Sequence, residues 1–189
     1  MGAGSDDPIE DSLVNEGTGR NYGVEFTLEK FLSKRYYFLL TTSILNSKYK
    51  GSDGILRNTA FSSDFNFNAL FGYEMPVREN GAIDFNIRTV AGGGRRVIPH
   101  DEVKTLEDGD DVYLSDQAYE SRMAPYFRLD TRVGYKFNGL RVRHEIAIDL
   151  TNITNRPNEW ERQYNESTNQ IEVIYQQGFF FFIYYRVNF

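Results

Sequence analysis

The 189-residue chain contains no cysteine, one tryptophan, two histidines and five prolines. Without cysteine there is no disulfide framework and no thiolate to serve as nucleophile or metal ligand. The two histidines, His100 and His144, are too few for a histidine-rich metal centre. No stretch approaches the roughly 20 consecutive apolar residues that a membrane-spanning helix requires. Nor is there a surplus of positive charge. Lys and Arg number 21 against 27 Asp and Glu, a net charge of -6 with the signs interspersed, which leaves no basic patch for a nucleic-acid partner. The opening MGAGSDDPIEDSLVNEGTGRN is acidic and Gly-rich. It lacks the basic region and apolar core of a signal peptide, and residues 1–20 read as a loop.

What the chain has in excess is aromatic: 15 Phe and 13 Tyr, most of them inside short alternating runs. No convincing helical period emerges. Apolar residues recur at every second position, the period of a strand with two unlike faces. Tyr22, Val24, Phe26 and Leu28 oppose Glu25, Thr27 and Glu29, and Tyr36, Phe38, Leu40 and Ile44 oppose Tyr37, Thr41 and Ser43. Phe65, Phe67, Phe71 and Tyr73 oppose Asp64, Asn66, Asn68 and Glu74, and Ile83, Phe85 and Ile87 oppose Asp84, Asn86 and Arg88. In the fifth run Phe127, Leu129, Val133, Tyr135 and Phe137 share a face opposite Arg128, Asp130, Arg132 and Lys136. The sixth sets Val142, Ile146, Ile148 and Leu150 against Arg143, Glu145 and Asp149, with His144 out of place among the apolar positions. The seventh is the ending GFFFFIYYRVNF, where Phe179, Phe181, Ile183, Tyr185, Val187 and Phe189 share a face. Phe180, Phe182 and Tyr184 stand opposite, which is unusual for a polar face.

The connections sort themselves by length. Short turns fall at Ser33-Lys34, at Arg78-Glu79-Asn80-Gly81 and at Asn138-Gly139, the last two carrying the Asn-Gly hairpin signal. Long polar connections run over 47–58, 92–124 and 152–178. Outer-membrane barrels have this asymmetry, with short periplasmic turns, long external loops and strands that alternate between lipid and a polar lumen. The expected fold is therefore all-β, an antiparallel transmembrane β-barrel segment of about seven strands. The expected location is the outer membrane of a Gram-negative bacterium, with membrane lipid against the apolar face. Bacterial single-chain barrels have even numbers of strands, so seven implies further strands upstream, with 1–20 as the tail of an external loop and 21–189 as barrel.

In order along the chain, GRNYGVEFTLEKFLSKRYYFLLTTSILNSKYKG (19–51), AGGGRRVIPHD (91–101), PYFRLDTRVGYKFN (125–138), HEIAIDLTNITNRPN (144–158) and the aromatic closing strand resemble the C-terminal part of the barrel of TonB-dependent outer-membrane receptors, of a kind common in Bacteroidetes. The resemblance implies a larger barrel of about 22 strands around a plug. It implies uptake of a bulky nutrient (siderophore, oligosaccharide or peptide) driven by TonB pulling on the plug. Neither plug nor TonB box is found within these 189 residues, so TonB would act through a segment outside them. The resemblance also makes Phe181, Ile183, Tyr185, Val187 and Phe189 an assembly signal read by the barrel insertion machinery. An amphipathic edge strand of this kind can be captured by strand addition.

The remaining clusters are weaker. Arg128, Asp130, Arg132, Arg143, Glu145 and Asp149 lie on the lumen-facing side of two neighbouring strands, where cross-strand ion pairs holding a plug are the simpler expectation than a substrate path. Gly92-Gly93-Gly94 lacks the Lys-Ser/Thr end of a phosphate loop and reads as a flexible rim. Arg95 and Arg96 then read as solvated loop charges, and 107–111 (EDGDD) as an acidic loop without the spacing of a calcium hand. No nucleophile elbow accompanies any Ser, His or Asp. No catalytic residue, metal site or cofactor is expected. A small self-contained eight-stranded barrel of structural or adhesive role, or a soluble β-sandwich binding module, would share much of the strand pattern.

Overall fold

A computed structural model describes residues 17–189 of the chain. The expected leading loop lies outside the described residues over 1–16, and Thr18–Arg20 already belong to the first strand. Twelve strands follow: β1 (Thr18–Ser33), β2 (Tyr36–Lys50), β3 (Leu56–Asn58), β4 (Asp64–Val77), β5 (Gly81–Gly92), β6 (Arg96–Val97), β7 (Ser121–Arg122), β8 (Tyr126–Asn138), β9 (Arg143–Thr151), β10 (Glu159–Asn165), β11 (Gln170–Tyr175) and β12 (Phe180–Asn188). The seven long ones pair in chain order, β1-β2-β4-β5-β8-β9-β12, each antiparallel to the next. The sheet does not close, and β1 and β12 stand at its two ends.

The register carries the alternation across the whole sheet. Val24 pairs with Ile44 and Ile44 with Phe65. Further along, Phe71 pairs with Ile87, Phe85 with Val133, Val133 with Ile148, and Ile148 with Ile183. One face is thus apolar from edge to edge. A slip of one residue in any strand would turn its apolar set to the other side, so the faces and the register specify each other.

The three short turns lie at one end. The first falls one residue later than expected: Ser33 pairs with Tyr36, leaving Lys34 and Arg35, both with positive φ (51° and 75°). This is the primed geometry that matches strand twist but burdens non-glycine residues. Lys34→Asn with Arg35→Gly should therefore raise stability by about 1 kcal/mol, read as a higher unfolding midpoint. At the second turn the Asn-Gly signal found the hairpin but not its left-handed residue, which is Arg78 (φ 55°), while Gly81 pairs with Val77.

The long connections at the other end have structure of their own. β3 folds back on β2, β6 pairs with β7, and β10 with β11 form a hairpin. The middle connection also holds a helix, α1 (Glu102–Asp108), which the sequence reading did not anticipate. Asp101 caps its start by accepting from the Lys104 N–H (3.1 Å), and Gly109, at φ 70°, closes it.

Only Ala118, Met123 and Ala147 are buried hydrophobic residues among those described, and the largest fully buried side chains are Asn152, Thr105 and Ser62. The apolar side chains of the sheet are instead exposed, Val24 at 73% and Ile183 at 63%. Among the described residues no helix is long and apolar enough to cross a membrane; the sheet carries the apolar surface.

Candidate functional site

The polar face is built from ion pairs, with its acids at the centre. Asp84 on β5 and Glu145 on β9 are buried, at 6% and 7% exposure. Burying carboxylates is costly unless cations meet them, and three do. Arg132 on β8 reaches Glu145 and, at 3.5 Å, Asp84; Lys136 reaches Asp84 at 3.1 Å; Arg186 on β12 reaches Glu145 at 3.8 Å. Asp84 sits opposite Gly134, where a Cβ would come within 2.6 Å of its carboxylate oxygen. Glycine makes the room that this buried acid occupies.

The expected cross-strand pairing between β8 and β9 is therefore present as Arg132–Glu145, but the network extends to β5 and β12. Arg128 pairs with Asp130 on its own strand at 2.7 Å. Asp130 also accepts from the Asn152 N–H at 2.9 Å, tying the strand to the connection after β9. Arg143 and Asp149 take no part in the ion pairs found among the described residues, although Asp149 lies across from Arg132 in register. A hollow of about 330 Å³ on this face brings Asp149 together with Arg88, Arg128, Asp130 and Phe182.

The aromatics on this face find partners here. Tyr184 lies between two guanidinium groups, Arg132 at 5.0 Å and Arg186 at 5.4 Å from its ring centre, and its hydroxyl donates to Glu145 at 3.2 Å. A ring over a cation is attractive electrostatically, so an aromatic row suits a charged face. Phe180, Phe182 and Tyr184 form that row, their ring centres 6.3 and 6.4 Å apart.

Phe181, Ile183, Tyr185 and Val187 lie on the apolar face, opposite Leu150, Ile148, Ile146 and His144, and Phe189 is fully exposed beyond them. His144, the exception in its run, belongs to an aromatic cluster near the short turns. It stacks on Phe137 at 4.5 Å and on Tyr185 at 6.0 Å, and its Nδ1 hydrogen-bonds the Tyr185 hydroxyl at 2.6 Å. Tyr36, Tyr73, Tyr135 and Tyr185 all occupy the apolar face toward this end. Comparison with protein-family models, with curated proteins and with solved structures finds no match.

Three asparagines at three-residue spacing organise the exit from β9. Asn152 is 1% exposed and left-handed (φ 50°); its amide donates to Arg156 O at 3.0 Å, and its Oδ1 accepts from the Thr154 hydroxyl and the Arg156 N–H. Asn155 accepts from the Phe179 N–H (2.8 Å), and Asn158 pairs with both backbone groups of Phe127. With several hydrogen bonds at about 1 kcal/mol each, Asn152→Ala should cost about 3 kcal/mol. It should also speed proteolysis within 152–178 well before global unfolding.

The glycine run is no flexible rim. A Cβ on Gly94 would overlap the Met123 carbonyl, and one on Gly93 the Ser63 carbonyl. The backbone threads between two other segments and fixes the residues that follow. Arg96 donates to Ser62 O at 3.2 Å and to Tyr119 O at 3.1 Å; Arg95 donates to Trp160 O at 2.7 Å and lies 5.7 Å from that ring centre. Neither is a freely solvated charge. The acidic run 107–111 is likewise dispersed. Asp108 ends α1, and Asp111 meets His100 Nε2 at 2.9 Å and the Tyr164 N–H at 2.8 Å. Among the described residues no group of three or more His, Asp or Glu is placed to hold a metal.

Proposed function

We propose that the seven-stranded sheet is part of the wall of an outer-membrane β-barrel, its apolar face toward lipid and its charged face toward a lumen. One observation carries this reading: Asp84 and Glu145 at the centre of the sheet are buried, while its large aliphatic and aromatic side chains are exposed. Seven strands about 4.8 Å apart, the shortest of nine residues and so about 30 Å long, present at least roughly 900 Å² of apolar face, beyond the few hundred Å² that soluble monomers tolerate. Leaving that area in water forfeits on the order of 20 kcal/mol at about 25 cal/mol per Å², more than the typical net stability of a domain, about 5–15 kcal/mol. Something must cover the face. The shortest of the seven, β9 and β12, have nine residues each, close to the roughly 9–11 that a tilted strand needs to cross a bilayer. Tyrosines gathered toward one rim fit the interfacial girdle of such barrels.

The sequence resemblance extends this reading to a TonB-dependent receptor taking up a bulky nutrient, with the long connections facing outward. In cells, the chain should stay in the membrane through alkaline extraction and enter solution only with detergent. Purification as a monomer in detergent-free buffer would remove the membrane reading. Uptake of a captured nutrient should stop when a protonophore collapses the proton gradient; insensitivity would remove TonB but leave the barrel.

A further inference from the structure

The three long connections enclose a cleft of about 710 Å³, set apart from both faces of the sheet. That volume suits a small ligand, within the roughly 300–1,000 Å³ of ordinary binding sites. Arg95 and Arg96 line it, held in place by the carbonyl bonds described above, and neither is ion-paired among the described residues. Arg95 meets only a carbonyl and an aromatic ring, and Arg96 feels the Asp64 carboxylate only at a distance beyond an ion pair, so two fixed guanidinium groups adjacent in the chain retain charge for an anion. Burial, and then the neighbouring Arg122 charge, hold Arg96 below its ordinary pKa, with Asp64 offsetting part of the effect; a bound anion would act in the same direction as Asp64.

The rest of the lining limits which anion. Val97, Pro99, Ile171 and Val173 give apolar walls, which suit an organic body and give a bare inorganic ion no partners. Glu102 and Glu161 also reach the cleft and offer acceptors for N–H groups. A fatty acid has no such donors, whereas a peptide has its amides and its terminal ammonium. We propose that this cleft binds a short apolar peptide by its free carboxylate, seated between Arg95 and Arg96, with its side chains against Val97, Pro99, Ile171 and Val173. This goes beyond the barrel reading and does not depend on it, because the cleft is formed by the connections alone.

The test uses the whole chain in detergent and trileucine as probe. Trp160, the sole tryptophan, reports through its contact with Arg95, and calorimetry gives affinities for variants. Trileucine should bind saturably, and its C-terminal amide at least about tenfold more weakly, the loss expected for a charge-assisted pair. Arg95→Gln should weaken trileucine by a similar factor with an unchanged circular dichroism spectrum, and Arg95→Lys should recover part of the loss. Arg96→Gln should weaken it too, but Arg95 is the cleaner position because Arg96 also braces the Ser62 and Tyr119 carbonyls. Four results overturn the proposal: equal binding of acid and amide, octanoate binding as tightly as trileucine, no saturable binding up to millimolar concentration, or undiminished affinity in Arg95→Gln.

Discussion

Val133→Arg is expected to keep the chain out of a lipid bilayer. Val133 lies in the middle of the apolar face, paired with Phe85 on one side and Ile148 on the other, and it is 41% exposed. If lipid meets that exposed surface, a guanidinium there costs about 2–4 kcal/mol near the bilayer midplane. A sheet that depends on its apolar face for stability has no reserve to absorb that cost. Flotation with phosphatidylcholine vesicles should show most of the parent chain associated with lipid and most of Val133→Arg left in the aggregate or soluble fraction. Lys136→Arg, three positions along the same strand on the polar face, should float like the parent. If the face met water or a second soluble sheet, Val133→Arg would either be harmless or unfold the chain equally with and without vesicles.

The second large effect is expected on the opposite face. Arg132→Met should destabilise the sheet by about 3 kcal/mol, because removing one member of a buried ion pair leaves its partner uncompensated. Asp84 and Glu145 both lose their shared cation, and Lys136 and Arg186 remain to offset part of the loss. Adding Glu145→Gln to Arg132→Met should recover a measurable fraction, since the stranded charge is then removed. Denaturant titration of the two singles and the double closes the cycle. Additive penalties would mean that the two side chains act independently and that the network is decorative.

Much of this architecture was legible in the sequence because a period of two needs only local information. All seven long strands, their order and the composition of both faces follow from alternation and from the contrast of short and long connections. What was not legible depended on register or on short-range capping. Asp84 meets Arg132 and Lys136 only because β5 pairs with β8 in one alignment, and nothing local in either strand announces it. Tyr184 read as misplaced until Arg132 and Arg186 flanked it. The helix α1 escaped because seven residues give barely two turns, and its caps, Asp101 and Gly109, are also ordinary loop residues. His144 broke its run because its partner Tyr185 lies on another strand. Gly93 and Gly94 suggest flexibility in sequence and show close approach in structure, where Ser63 and Met123 leave no room for a Cβ.

The claim that lipid covers one face and not the other is tested most directly by moving the single tryptophan. With Trp160→Phe as background, Val133→Trp and Ile148→Trp place an indole on the apolar face, and Asn86→Trp places one on the polar face. Each chain is reconstituted in phosphatidylcholine vesicles containing lipids brominated on the acyl chain, which quench indole on contact. Emission at 133 and 148 should be blue-shifted and strongly quenched, and emission at 86 unquenched. Equal quenching at all three positions, or none at 133 and 148, would contradict that claim.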